Sequence, residues 1–186
     1  GTIRYHRGDG KNLLFTRQTF DTYASPDGIY DVMSAGIAGP VTIRKQDGIK
    51  KIFSLPTSSL RGNLLETSDP NSNKLTFGYS DGNLTTITDA TGRILTFTYE
   101  GGLVSSISVA GDTPYVVGYQ YDSGAFLTNV NRPDNNSSSD AVYGYSPDQM
   151  LENWTDPFVS AGERNKTFAY DGLGRVVRSE DGEGKA

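Results

Sequence analysis

The sequence predicts an all-β chain of tandem β-hairpins, and three observations carry that prediction. An aromatic residue, any residue and then Tyr recur five times, as Phe77/Tyr79, Phe97/Tyr99, Tyr119/Tyr121, Tyr143/Tyr145 and Phe168/Tyr170. The Tyr-to-Tyr steps are 20, 22, 24 and 25 residues, the drift expected of a fixed supersecondary unit with loops of varying length. Each Tyr is followed by a turn signal, in order SDGN, EGG, DSG, SPD and DGLG.

The elements follow from that frame. Residues two apart in a strand share a face, so Leu75, Phe77 and Tyr79 line one side, as do Leu95, Phe97 and Tyr99. A second strand follows each turn: LTTIT (84–88), LVSSISV (103–109), FLTNV (126–130), MLENWT (150–155) and RVVRSE (175–180). A second breaker then closes the unit, so each repeat reads strand, tight turn, strand, looser turn. Stacking such units is expected to put the aromatic-x-Tyr pairs on adjacent strands as ladders. The organisation predicted is an irregular β-hairpin lead-in over 1–73 and tandem repeats over 74–186, about five of them. Within the lead-in, 4–15 reads as a hairpin around Gly8-Asp9-Gly10 and 41–53 as another around Asp47-Gly48. The stretch 25–40 reads as irregular connection, and NLLET (63–67) as one strand.

Composition excludes several functions. The net charge of −5 argues against a nucleic-acid groove, which needs clustered Lys and Arg to displace counterions. No apolar run reaches the roughly 20 residues that span a bilayer. With no Cys, thiol catalysis, thiolate metal sites and disulfides are out, and the one His (His6) excludes any two-imidazole mechanism. No metal site, catalytic residue or cofactor is predicted.

Candidate sites are outweighed by simpler readings. Arg7-Gly8-Asp9 spells an integrin-binding tripeptide, but a hairpin turn wants Gly and Asp there in any case. Asp134 to Asp140 spaces oxygens like the front of a calcium loop, yet position 6 is Ser139 and position 12 is Tyr145, so a solvated loop is the better reading. Sequons occur at Asn83, Asn135, Asn136, Asn153 and Asn165 and matter only in a glycosylating compartment. Glu66 and Asp69 are not held at the fixed separation that glycoside hydrolysis needs. Trp154 is a candidate for stacking on a sugar ring, weighed against a plain role inside the sheet.

Tyr-Asp, a short turn, Gly-Arg, an apolar residue and an alternating strand form a pattern that resembles the YD repeats, also called RHS repeats. Tyr170-Asp171-Gly172-Leu173-Gly174-Arg175 matches closely. Tyr79-Ser80-Asp81-Gly82 with Gly92-Arg93 matches well, and Tyr121-Asp122-Ser123-Gly124 matches without the Gly-Arg. Tyr99 and Tyr145 keep the Tyr and lose the Asp. The resemblance covers 74–186 and is weaker before that. It implies a curved, spiralling antiparallel sheet, a segment of the β-shells of bacterial RHS toxins, insecticidal toxin complexes and teneurins. The self-cleavage segment of such shells is absent: Asp69-Pro70-Asn71-Ser72 and Asp156-Pro157-Phe158-Val159 both lack its Gly-Leu.

The expected role is therefore structural, a scaffold segment of a secreted or surface-displayed protein that encloses or presents another polypeptide. The expected partners are further YD repeats of a parent chain or neighbouring subunits, with a toxin cargo or glycans beyond them. Two other classes stand beside it: a glycan- or partner-binding adhesion module, and a subunit that self-assembles into filaments through open repeat edges. The last unit has its Tyr and turn with no repeat after it, which predicts a piece of a longer array or an edge that pairs with another chain.

Overall fold

The computed structural model describes residues 1–36, 39–55, 61–111, 115–133, 140–155 and 165–182. Among these every regular element is a strand, and the chain divides into two compact units, 1–94 and 95–186.

The first unit holds β1 (Thr2–His6), β2 (Asn12–Arg17), β3 (Thr22–Ala24), β4 (Val32–Ala35), β5 (Val41–Arg44), β6 (Lys50–Phe53), β7 (Leu64–Ser68), β8 (Lys74–Ser80) and β9 (Asn83–Thr88). Each strand pairs antiparallel with the next. Period-two alternation sends Leu13 and Phe15 of β2, Met33 and Ala35 of β4, and Val41 and Ile43 of β5 to one side. With Tyr5 they form a closed core in which Phe15 and Met33 are 0% and Ile43 1% exposed. A flat sheet cannot bury a side chain so completely. The first six strands roll up instead, bringing β1 against β6: the rings of Tyr5 and Phe53 meet edge-on at 5.7 Å, and Lys51 Nζ donates to the Tyr5 hydroxyl at 3.3 Å.

The lead-in is thus more regular than the sequence predicts. The stretch 25–40, expected as irregular connection, contains β4. Its inward residues are Met33 and Ala35, a flexible chain and a small one, and Gly36, Gly39 and Pro40 beside them mask the alternation.

The second unit holds β10 (Ile94–Glu100, beginning at the boundary), β11 (Leu103–Val109), β12 (Tyr115–Tyr121), β13 (Leu127–Asn131), β14 (Ala141–Tyr145), β15 (Leu151–Thr155), β16 (Asn165–Tyr170) and β17 (Val176–Glu180). Again each pairs antiparallel with the next. Its burial is of another kind: among the described residues only Asp140 and Ala141 are fully buried, and most inward side chains are half-buried. This unit is held by its ladders and turns more than by a core.

The aromatic ladder expected on adjacent strands does not form. Each repeat contributes two strands, so equivalent aromatics lie two strand spacings apart, roughly 10 Å. The direct neighbours of Phe97 and Tyr119 are instead Ile107 and Val130.

Candidate functional site: the latched seam and the two faces of the sheet

Every aromatic-x-Tyr strand carries a β-bulge at its Tyr. The register slips at Gly78/Tyr79, Thr98/Tyr99, Gln120/Tyr121, Gly144/Tyr145 and Ala169/Tyr170, so each Tyr faces Leu84, Val104, Leu127, Leu151 or Val176 across its own hairpin. A bulge adds twist and bends its strand.

On the other side of the aromatic strand is the seam with the preceding hairpin. There the ladder stops early, at Glu66↔Thr76, Ser106↔Gly118, Asn129↔Val142 and Asn153↔Thr167. Each time the last pair lies three residues before the Tyr. Past it, the Tyr hydroxyl reaches across the seam and donates to a backbone carbonyl: Tyr79 to Leu64 at 3.0 Å, Tyr121 to Val104 at 3.0 Å, Tyr145 to Leu127 at 3.0 Å and Tyr170 to Leu151 at 2.7 Å. The acceptor is in every case the residue that faces the aromatic of the preceding hairpin. Leu64 fits the rule because it faces Phe53, where β6 makes the same bulge. Burial raises the pKa of Tyr79 and Tyr145 above the ordinary phenol value. The phenol thus satisfies a carbonyl that the splayed ladder would otherwise leave unpaired.

Turns of one geometry recur along both units. At Asp69, Asp89, Asp122, Ser146 and Asp171 the residue's amide donates to the carbonyl four residues on, and its carbonyl accepts from the amide three residues on. The residue that makes this second bond has positive φ: Ser72, Gly92, Ala125, Gln149 and Gly174. This is the three-residue hairpin loop with a left-handed closing position. In the four aspartate turns Oδ1 accepts from the amides two and four residues on, at 2.8–3.0 Å. Arg93 and Arg175 add guanidinium bonds to Oδ2 of Asp89 and Asp171 at 2.7 and 2.8 Å. The Thr91 hydroxyl and then Arg93 hold Asp89 well below the usual carboxylate range, and the Arg175 amide and guanidinium lower Asp171. Asn73 lowers Asp69, chiefly through its side-chain amide.

Asp81 has a different role from Asp122 and Asp171. It sits at φ 50 beside Gly82 at φ 83, the two central positions of a type I′ turn between Ser80 and Asn83. The Arg7-Gly8-Asp9 tripeptide lies in a turn where Arg7 pairs with its own Asp9 at 3.1 Å.

The bulges also sort the side chains. In the second unit one face carries Phe97, Ile107, Val117, Tyr119, Val130, Tyr143, Trp154 and Phe168 in register with one another or in sequence-adjacent strands. The opposite face carries Thr96, Thr98, Ser106, Ser108, Gly118, Gln120, Asn129, Asn131, Asn153, Thr155, Asn165 and Thr167, interrupted by Val116 and Val142. The sheet is largely apolar on one side, with Lys166 across from Trp154 and Ser179 across from Phe168 as polar exceptions, and carries mainly hydroxyls and amides on the other.

Trp154 is half-buried on the apolar side, with Lys166 Nζ 5.2 Å from its ring centre. That cation already occupies a ring face a sugar would use. Asp140, the last oxygen of the calcium-like spacing, accepts from the Arg132 amide at 2.9 Å and the Asn131 side chain at 3.0 Å and clamps the base of its loop. The rest of that loop, Asn135 and Asn136 with it, and the 156–159 segment lie outside the described residues. Among the described residues no group of acidic, His or Cys side chains is arranged to hold a metal, and no helix is long and apolar enough to cross a membrane.

Sequence reasoning missed the seam acceptors. Part of the signal was present: an aliphatic residue stands five or six positions after each Tyr, and three of these, Val104, Leu127 and Leu151, are acceptors.

A family model, the RHS repeat, matches residues 60–94, a stretch that includes the Leu64 acceptor, the Tyr79 latch and the Asp69 and Asp89 turns. Among curated proteins nothing matches the chain. The crystal structure of TcdB2-TccC3-Cdc42 aligns over 97% of this chain with a TM-score of 0.52 at 15% identity. That of TcdB2-TccC3-TEV gives 0.48 at 14% identity, also over 97%. This chain spans 11% of the length of each of those chains. Residues 60–94 thus match the RHS, or YD, repeat, the latch and turn of that stretch recur in the hairpins that follow, and the likeness to the first structure shows the all-β fold.

Proposed function

We propose that the chain is a wall segment of a secreted or surface-displayed shell, with its apolar face turned toward an enclosed polypeptide and its hydroxyl- and amide-rich face toward solvent. The observation that carries this reading is the separation of the two faces by register. A soluble sheet with one apolar side needs something against that side. The closed core of the first unit supplies such a cover for β1–β6, whereas among the described residues of the second unit Ala141 is the one apolar residue that is buried. The region 1–73 acts as lead-in and 74–186 as the repeating wall. The fold neighbour TcdB2-TccC3-Cdc42 is a structure of joined components, in keeping with a role beside other polypeptides. The work is scaffolding; the aspartates already serve as turn clamps.

The filament reading is weakened by β1, whose Tyr5 is buried against Phe53 and Lys51 and offers no open aromatic-x-Tyr strand to a second copy.

Tyr115 and Val116 are neighbours on opposite faces, 62% and 41% exposed. A photo-crosslinking residue at each, with reduced carboxymethylated α-lactalbumin as an unfolded probe, tests the reading. Crosslinking from position 115 in clear excess over 116 is expected. Equal yields, or none from either, would overturn it.

A further inference from the structure

The seams of the second unit share one backbone geometry but differ in what fills them. In the seam of β13 and β14 the residue before the acceptor is Phe126, whose ring meets that of Tyr145 at 5.1 Å. In the seam of β15 and β16 it is Met150, whose sulfur lies 3.8 Å from where a Cβ on Gly174 would stand. In the seam of β11 and β12 it is Leu103, and the hairpin that carries it turns on Gly101 and Gly102, at φ 58 and 85. A shorter side chain and a turn without side chains leave a cleft of about 580 Å³ there, within the size range of ligand sites. Glu100, Ser105, Tyr119, Gln120, Tyr121 and Asp122 line it, and among the described residues no Lys, Arg or His does.

Asp122 also departs from the other aspartate turns. At Asp69, Asp89 and Asp171 the residue four on bonds Oδ2: Asn73 through its amide at 2.8 Å, and Arg93 and Arg175 through their guanidinium groups at 2.7 and 2.8 Å. At Asp122 that residue is Phe126, which has no polar side-chain group to offer. Its Oδ1 keeps the two amide bonds that clamp the turn.

We propose that this cleft is a site for the guanidinium group of an arginine side chain carried by a partner polypeptide. That group takes, at Asp122 Oδ2, the place that Arg93 and Arg175 take at their own aspartates. Glu100 supplies a second carboxylate, and the rings of Tyr119 and Tyr121 give a flat cation an aromatic wall. The Tyr121 hydroxyl is already committed to the Val104 carbonyl, so its ring is held in place before a ligand arrives. The second unit carries 13 acidic and 6 basic residues, a balance that draws a cation toward it. The inference goes beyond the wall reading and does not rest on it: the crosslinking test concerns a face and this site one seam, so either can fail alone.

The test uses the whole chain, isotope-labelled, titrated with a blocked Gly-Arg-Gly peptide and followed by NMR. The expected result is a set of shifts centred on Glu100–Leu103 and Tyr119–Asp122. The citrulline peptide, alike in shape but uncharged, should bind about tenfold more weakly, the factor of one charge-assisted hydrogen bond. Glu100→Gln, at an exposed position outside the turn clamps, should weaken the arginine peptide by a similar factor and leave the melting curve in place. Phe126→Arg supplies the missing guanidinium from within and should abolish binding. Equal binding of the arginine and citrulline peptides, shifts spread over both units, or undiminished binding to Glu100→Gln would overturn the site. Free arginine brings its own carboxylate toward Glu100 and Asp122 and should bind more weakly than the blocked peptide. Tighter binding of free arginine would make the amino acid the ligand and overturn the polypeptide assignment.

Discussion

A phenol that donates to a backbone carbonyl does two things at once. Its ring fills the gap left by a bulge, and its hydroxyl takes the place of a ladder bond. Tyr145→Phe keeps the ring and leaves the Leu127 carbonyl without its donor, so it should lower unfolding free energy by about 1 kcal/mol, measured by urea denaturation. Because burial raises the Tyr145 and Tyr79 pKa values in the folded state, the unfolded chain loses those protons first. Their contribution is whole below pH 10.0 and declines as pH rises from there toward the folded values, which an alkaline series of melts will show. The aspartates behave in the opposite sense. Asp69, Asp89 and Asp171 are depressed from 3.8, so their contribution is whole above that pH and is lost as pH falls through the folded values. Asp89→Asn, which keeps the Oδ1 acceptor, should tolerate urea better than Asp89→Ala.

At the scale of the element, the turn geometry ranks substitutions. Ala125 and Gln149 hold φ 65, a conformation that costs a residue with a Cβ, and Gly would relieve it. Ala125→Gly and Gln149→Gly should each stabilise by about 0.5 kcal/mol, the strain relieved less the extra freedom of Gly in the unfolded chain. Gly48→Ala should do the reverse. At φ 84 its new Cβ would also stand 2.8 Å from the Pro70 ring, and a loss above about 1 kcal/mol is expected in the same assay. The elements themselves were largely legible. LVSSISV (103–109) is β11 to the residue, because a run rich in β-branched residues ends cleanly before Gly and Asp. The seam was not. Period two says which residues share a face until a bulge resets the count, and nothing in Gly78-Tyr79 or Ala169-Tyr170 announces a bulge. Hence period two alone does not sort Thr and Ser to one face across a bulge, while the register does. Met33 was invisible for another reason: its burial depends on β1 meeting β6, a contact between residues far apart in sequence.

Across the whole molecule, two ways of holding a sheet coexist. The first unit has a sealed core, and Phe15→Ala should cost about 3–5 kcal/mol in urea melts, since the ring is wholly enclosed. Leu95→Ala in the second unit removes a side chain already open to solvent and should cost far less. Nearly all pairing is between strands consecutive in sequence, the arrangement with the shortest loops to close. This has a mechanical meaning. Under a pulling force the sealed core of the first unit would give way at once, as a globule does, but the latched hairpins would not. The latched hairpins would part in turn, each latch and its seam giving way before the next is loaded. With steps of 20 to 25 residues, every rupture should pay out about 7–9 nm of chain, a sawtooth in which the spacing of the teeth reads back the spacing of the tyrosines.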